Sequence, residues 1–246
     1  MFSEIPGEQL RAALERTAHE VLAEAAVTAP PVDAIEVASR LGMIVAREEG
    51  AQQRARFVHI GGASRGRPAI LLADDPRVER RHWAVAHEIG EAHAHRVFAD
   101  LGVDPLHAAS GARESIANHL AGCLLLPHDW FAAEGEALDW DLARLKERFA
   151  TTSHELIARR MLEMPPPVII TLFDQGKQQW RRSNVGRAAP TSSAEGDARR
   201  AAFELGEAVR CEPSELPEGV VDVRAWAIHE PEWKREIVRS ELAEMW

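Results

Sequence analysis

The stretch Arg81-His82-Trp83-Ala84-Val85-Ala86-His87-Glu88-Ile89-Gly90-Glu91 lies within a segment, residues 80–98, whose composition predicts a helix. Residues four positions apart on a helix lie about 40° apart around its axis, so His87 and Glu91 share a side. Glu88 projects next to them. A histidine, a glutamate directly after it and a ligand four positions on are the pattern of H-E-x-x-H zinc sites. Here Glu91 stands where that pattern has its second histidine.

Two nearby histidines do not replace the missing one. His93 is roughly 240° around the helix from His87, and His95 is two turns away, about 12 Å along the axis. Glu91 is therefore the candidate with suitable geometry, and a carboxylate binds zinc at about 2.0–2.2 Å. Its added negative charge favours a harder ion such as Mn2+ as the alternative. The bare motif also arises by chance, in which case His82, His93 and His95 simply form a solvated polar face of the helix.

Composition narrows the class of protein. The chain has 246 residues, 46% hydrophobic and 28% charged, as in ordinary globular domains. Its net charge of -10 disfavours general binding to nucleic acid. Two separated cysteines, Cys123 and Cys211, predict no disulfide framework and fit a cytoplasmic location. Apolar runs are too short to span a membrane, and Met1–Pro6 has no secretory pattern.

Hydrophobic periodicity and chain breakers predict an α+β fold. Three short strands, at 43–46, 54–60 and 68–72, are expected to form a small antiparallel sheet ahead of the motif helix. The core is otherwise predicted to be mainly helical. The expected helices span residues 7–26, 33–41, 80–98, 114–126, 138–149 and 154–162.

Pro165-Pro166-Pro167 marks the clearest boundary in the sequence. It predicts a first domain over residues 1–164 and a small C-terminal α/β extension over residues 165–246 that packs on the core. In the extension we expect strands at 168–174, 178–182 and 220–228, a helix before the last of these, and a final helix over 232–246.

Four segments, in order along the chain, resemble the ImmA/IrrE family of metallo-endopeptidases. Residues 81–90 are similar to the family's RFTLAHELGH segment. The run Glu114-Ser115-Ile116-Ala117-Asn118 followed by residues 120–127 is similar to its E-x-x-A-N helix. Residues 31–43 and 145–162 resemble its flanking elements. The resemblance covers roughly residues 28–163 and implies a zincin-like metallopeptidase fold.

The resemblance assigns a role to each matching position. It implies His87 as the first Zn2+ ligand, Glu88 as the general base, and Glu114 as a remote third ligand. Glu91 occupies the position of the second ligand, where the family normally has histidine. Asn118 could orient a ligand. For His119 the alternatives are an oxyanion donor or substitute ligand, and a histidine that only packs its helix.

By the same resemblance the substrate is a protein, namely a DNA-binding repressor of helix-turn-helix type in a stress or mobile-element switch. An exposed edge of the small sheet could bind an extended substrate strand. Because Glu91 departs from the family pattern, the alternative is a catalytically degenerate relative that acts as a protein-binding regulatory module.

DNA binding by this chain itself is a rival hypothesis. Residues 142–162 look superficially like a helix-turn-helix, with Arg159 and Arg160 on the second helix. The acidic net charge and the place of the same segment in the peptidase resemblance both count against it.

Overall fold

The structure, a computed structural model, describes residues 5–50, 52–61, 66–108 and 111–243. The chain divides into two compact units. The first consists of the residues up to Asp139 together with Arg144–Ser153, and the second of Trp140–Ala143 together with the residues from His154 onward. The domain boundary predicted after residue 164 stays a prediction. The expected α+β class is confirmed.

The first unit is built mainly of helices. They are α1 (Gly7–Glu24), α2 (Ala34–Arg40), α3 (Val78–Asp100), α4 (Ala112–Leu125) and α5 (His128–Ala137), with a short 3-10 turn at Pro105–His107. Asp33 caps α2 by accepting a hydrogen bond from the backbone amide of Glu36. The strongly apolar α4 lies between α1 and α3 and contacts both, so its Ile116, Leu120 and Leu124 are buried. This packing fixes the position of the motif helix.

A three-stranded sheet lies next to these helices in the described residues. It consists of β1 (Ile44–Glu48), β2 (Ala55–Ile60) and β3 (Arg67–Ala73), in the order β1-β3-β2. The β2–β3 pair is antiparallel, as expected, but β1 pairs with β3 in parallel, so the sheet is mixed. In this order β2 is an edge strand of the part of the sheet that the structure describes.

The second unit is an antiparallel sheet with helices packed on it. Its elements are β4 (Val168–Asp174), β5 (Lys177–Ser183), β6 (Val209–Arg210), β7 (Val220–Glu230), β8 (Trp233–Leu242), α7 (His154–Met161) and α8 (Ser193–Leu205). In the described residues the strand order is β5-β4-β8-β7-β6. α8 begins with a capping box between Ser192 and Glu195, and its Ala198 and Ala202 pack against Val223 and Val238.

One predicted helix was wrong, and another starts later than predicted. Trp233–Leu242 forms strand β8, paired on both sides with β4 and β7. Residues 236–240 are buried throughout, so the strand lacks the polar–apolar alternation by which strands are recognised. Glu244, Met245 and Trp246, the end of the predicted helix, lie outside the described residues.

The helix predicted over 138–149 begins elsewhere. α5 starts directly after Pro127, and a turn follows in which Asp139 and Trp140 have positive φ. Only then does α6 (Leu142–Arg148) begin. Proline fixes φ near the helical value, so it begins α5 as well as ending α4.

No helix among the described residues has both the length and the apolar character needed to cross a membrane.

Candidate metallopeptidase site

α3 presents the motif residues at different depths. The side chain of His87 is 19% exposed, and Glu88 is buried at 9%. Other histidines of α3 are also buried: His82 accepts a hydrogen bond from the Ala34 amide, and His93 contacts the carbonyl of Ile89 through Nδ1. The hypothesis of a solvated histidine face is thus wrong for both, and burial lowers the pKa of each imidazole.

A glycine brings α4 unusually close to α3. A Cβ placed on Gly90 would lie 2.6 Å from the carbonyl oxygen of Ala117, which is closer than non-bonded atoms can approach. Because Ala117 lies between Glu114 and Asn118 on α4, this contact brings both polar side chains up to His87. The Oε2 atom of Glu114 is 3.6 Å from His87 Nε2.

Asn118 connects the histidine to the glutamate. Its Nδ2 donates to Glu114 Oε1 at 3.1 Å, and its Oδ1 is 3.2 Å from His87 Nδ1. An ionised carboxylate only accepts hydrogen bonds, so the amide nitrogen must face Glu114 and the amide oxygen must face His87. His87 therefore carries its hydrogen on Nδ1, and the lone pair on Nε2 points to the side of Glu114.

Glu91 is held apart from this pair. Its Oε1 is 3.7 Å from Arg113 Nε, and its backbone carbonyl accepts a hydrogen bond from Arg113 Nη2 at 3.2 Å. In the portion of the chain that the structure describes, no three histidine, cysteine, aspartate or glutamate side chains are grouped as metal ligands. The structure thus brings together His87, Asn118 and Glu114, with Glu91 turned to Arg113.

Glu88 lies against the small sheet. Burial raises the pKa of Glu88 above its ordinary value; the His87 ring and a hydrogen bond from the backbone amide of Phe57 oppose this, while Glu91 and Glu114 add to it. Phe57 belongs to the edge strand β2. A buried carboxyl with a raised pKa is the state in which a glutamate works best as a base near neutral pH.

His119 has other surroundings. Its Nδ1 is 2.7 Å from the carbonyl oxygen of Ser115. It lines a cavity of about 100 Å³ together with Leu10 and Leu14 of α1 and Ile116 of α4. These contacts favour the hypothesis of a histidine that packs its helix.

Two of the three expected ligands, His87 and Glu114, are spaced as two ligands of one tetrahedral ion would be. Two ligands of a tetrahedral ion, each about 2.0–2.2 Å from it, lie roughly 3.4 Å apart. The separation of 3.6 Å between His87 Nε2 and Glu114 Oε2 is close to that value. Glu91 would complete the set by turning from Arg113, and the ion pair that it would leave is partly exposed.

Two residues of the site were not predicted from the sequence. Arg113 precedes a predicted ligand but contacts Glu91 on another helix, and Phe57 acts through its backbone. No sequence pattern predicts either contact, because both depend on how separate elements pack.

Comparisons with known proteins agree with the fold. A solved structure of a Mycobacterium tuberculosis transcriptional regulator is 18% identical in sequence, with a TM-score of 0.63, over 93% of this chain and 87% of that chain. At this identity the likeness shows the fold alone. Curated proteins give no significant match. The model of the M78 peptidase family, described as the IrrE N-terminal-like domain, matches residues 38–161. This segment is just over half of the sequence and contains the whole of α3 and α4, so the chain belongs to the IrrE N-terminal-like family of M78 peptidases.

Proposed function

We propose that this chain is a zinc-dependent endopeptidase that acts on a protein substrate. His87, Glu91 and Glu114 hold the ion in this proposal, and manganese is the alternative metal. The observation that supports it most is the bridge through Asn118, which turns the lone pair of His87 Nε2 toward Glu114. Metal-binding histidines are usually oriented by such a partner on their other nitrogen.

The bound ion supplies the polarisation that activates a water molecule and the scissile carbonyl. Glu88 accepts the proton of the attacking water and passes it to the leaving amine. Its burial and its raised pKa suit both steps, since the carboxyl must take up and release a proton near neutral pH.

The proposed substrate is a DNA-binding repressor of helix-turn-helix type, in the cytoplasm. The edge strand β2 could pair with an extended segment of such a protein. Glu88 accepts a hydrogen bond from Phe57 of this strand, so a segment paired there would run beside the base. Charge and proline substitutions along Arg56–Ile60 that leave cleavage intact would contradict this binding mode.

The contacts of two arginines weaken the rival hypothesis of DNA binding through α7. Arg160 is buried and forms an ion pair with Glu163. Arg159 pairs with Glu155 at 2.8 Å and lies 4.8 Å over the ring of Trp180. Neither guanidinium is presented as a free phosphate ligand.

A second candidate function is a catalytically degenerate protein-binding module. The ion pair between Glu91 and Arg113 favours it, because it neutralises the substituted ligand without a metal.

Metal content distinguishes the two functions. Untagged protein is purified and analysed by mass spectrometry beside His87→Ala, Glu91→Ala and Glu88→Gln. The peptidase proposal expects about one zinc per chain, lost in the first two variants and kept in the third, with cleavage of a candidate repressor lost in all three. Absence of bound metal after both zinc and manganese are offered would favour the degenerate module.

A further inference from the structure

The proposed metal site is rich in negative charge. Glu88 has His87, Glu91 and Glu114 as charged neighbours, so three carboxylates accompany one imidazole, whereas a site with a second histidine would have one carboxylate fewer. Arg113 is a cation that contacts this group through Glu91. It touches Glu91 twice, through the side-chain oxygen at 3.7 Å and the backbone carbonyl at 3.2 Å.

The two roles of Glu91 oppose each other. Oε1 of Glu91 faces the guanidinium of Arg113, whereas a ligand of the same ion as His87 and Glu114 must turn a carboxylate oxygen toward that pair. A guanidinium and a divalent cation next to it also repel each other. Arg113 and the metal therefore compete for one carboxylate.

We propose that Arg113 lowers the affinity of this site for divalent cations by holding Glu91, so that metal binding must work against the contact between Glu91 and the guanidinium. This inference rests on the proposed function, since it takes His87, Glu91 and Glu114 as the ligands. Arg113, which competes for Glu91, and Glu114, the proposed third ligand, are consecutive residues of α4. Binding of the ion by Glu114 and release of Glu91 by Arg113 would therefore occur in the same turn of the helix.

The exposure of the pair makes the competition reversible. The side chains of Arg113 and Glu91 are 64% and 32% exposed, so water screens their attraction. An exposed ion pair of this kind is weak enough for a strongly bound cation to displace. Removing it should tighten metal binding by about three- to tenfold, from the lost ion pair and the lost repulsion together.

The test measures the dissociation constant of zinc for the full chain by competition with a chromophoric chelator. Arg113→Ala removes the charge and the contact, and Arg113→Lys keeps the charge without the planar fork. Arg47→Ala is the matched control, because Arg47 is an exposed arginine that pairs with Asp74 and touches none of the ligands. His87→Ala reports whether the zinc is bound at this site.

The expected result is tighter binding in Arg113→Ala, an intermediate value in Arg113→Lys and no change in Arg47→Ala. The gap between Arg113→Ala and the natural sequence should narrow at high salt, which screens the ion pair. Zinc that binds the natural chain, is lost in His87→Ala and is unaffected or weakened by Arg113→Ala would overturn the inference and leave the proposed function standing. Absence of binding in every variant, when zinc and then manganese are offered, would overturn the proposed function itself.

Discussion

Gly90 and the carbonyl oxygen of Ala117 meet across the α3–α4 interface, with room for a hydrogen at residue 90 but not for a methyl group. Gly90→Ala should therefore push the two helices apart and destabilise the protein by about 1–3 kcal/mol, despite the better helix propensity of alanine. Urea unfolding followed by circular dichroism measures the loss.

The control is the same substitution at Gly196 of α8, where an added Cβ would meet nothing within 4 Å. There the propensity gain should dominate, so Gly196→Ala should be neutral or stabilising. Equal effects at both positions would show that the close approach at Gly90 does not matter.

Asn118 should matter more for metal affinity than for stability. Asn118→Ala removes both the donor to Glu114 and the partner of His87 Nδ1. His87 and Glu114 then lose the group that orients them, and we expect zinc affinity to fall by about 10- to 100-fold. His119→Ala, one position along α4, should leave the zinc dissociation constant unchanged. A wild-type dissociation constant in Asn118→Ala would remove Asn118 from the site.

The ionised side chain of Glu88 should lower the free energy of unfolding at neutral pH. Burial raises the pKa of Glu88 in the folded chain, so the unfolded chain binds fewer protons, and the ionised carboxyl destabilises the fold above that pKa. The penalty decreases as pH falls below the folded-state pKa and is gone below the lower, unfolded-state pKa. In metal-free protein, Glu88→Gln should thus be more stable than the natural sequence at neutral pH and equally stable in acid. Thermal unfolding across this pH range measures the difference, and a variant that is less stable at neutral pH would contradict the argument.

Glu195 should behave in the opposite way. Burial alone would raise its pKa, but hydrogen bonds from Arg181, Ser240 and the Ser192 amide outweigh it and hold the pKa below the usual value. The stabilisation is complete above the unfolded-state pKa and is lost as pH falls through the folded-state value.

Glu195→Gln should accordingly destabilise the second unit by about 3 kcal/mol at neutral pH, because it leaves the buried Arg181 without its charged partner. The difference should shrink in acid. Glu204→Gln, at an exposed position of the same helix, provides the control. A constant difference at all pH values would mean that the charge of Glu195 is not what stabilises this unit.

The sequence alone predicted the helices α3 and α4, and spacing along α3 indicated which of its residues share a side. It did not predict the contacts that residues make between separate elements. The contacts of Arg113 with Glu91 and of the Phe57 amide with Glu88 join residues from different elements, and neither leaves a local pattern. β8 was mistaken for a helix for a related reason, since a strand covered on both faces needs no alternation.

The parts of the site come from three separate segments: Phe57 on β2, Glu88 on α3 and Asn118 on α4. Each segment supplies only some of the residues that the site needs. A newly synthesised chain acquires the base and its neighbours only after the strand and both helices have docked, and local opening at any one of these contacts dismantles the arrangement before the whole fold is lost. Under the proposed function, cleavage would therefore require that all three segments are docked.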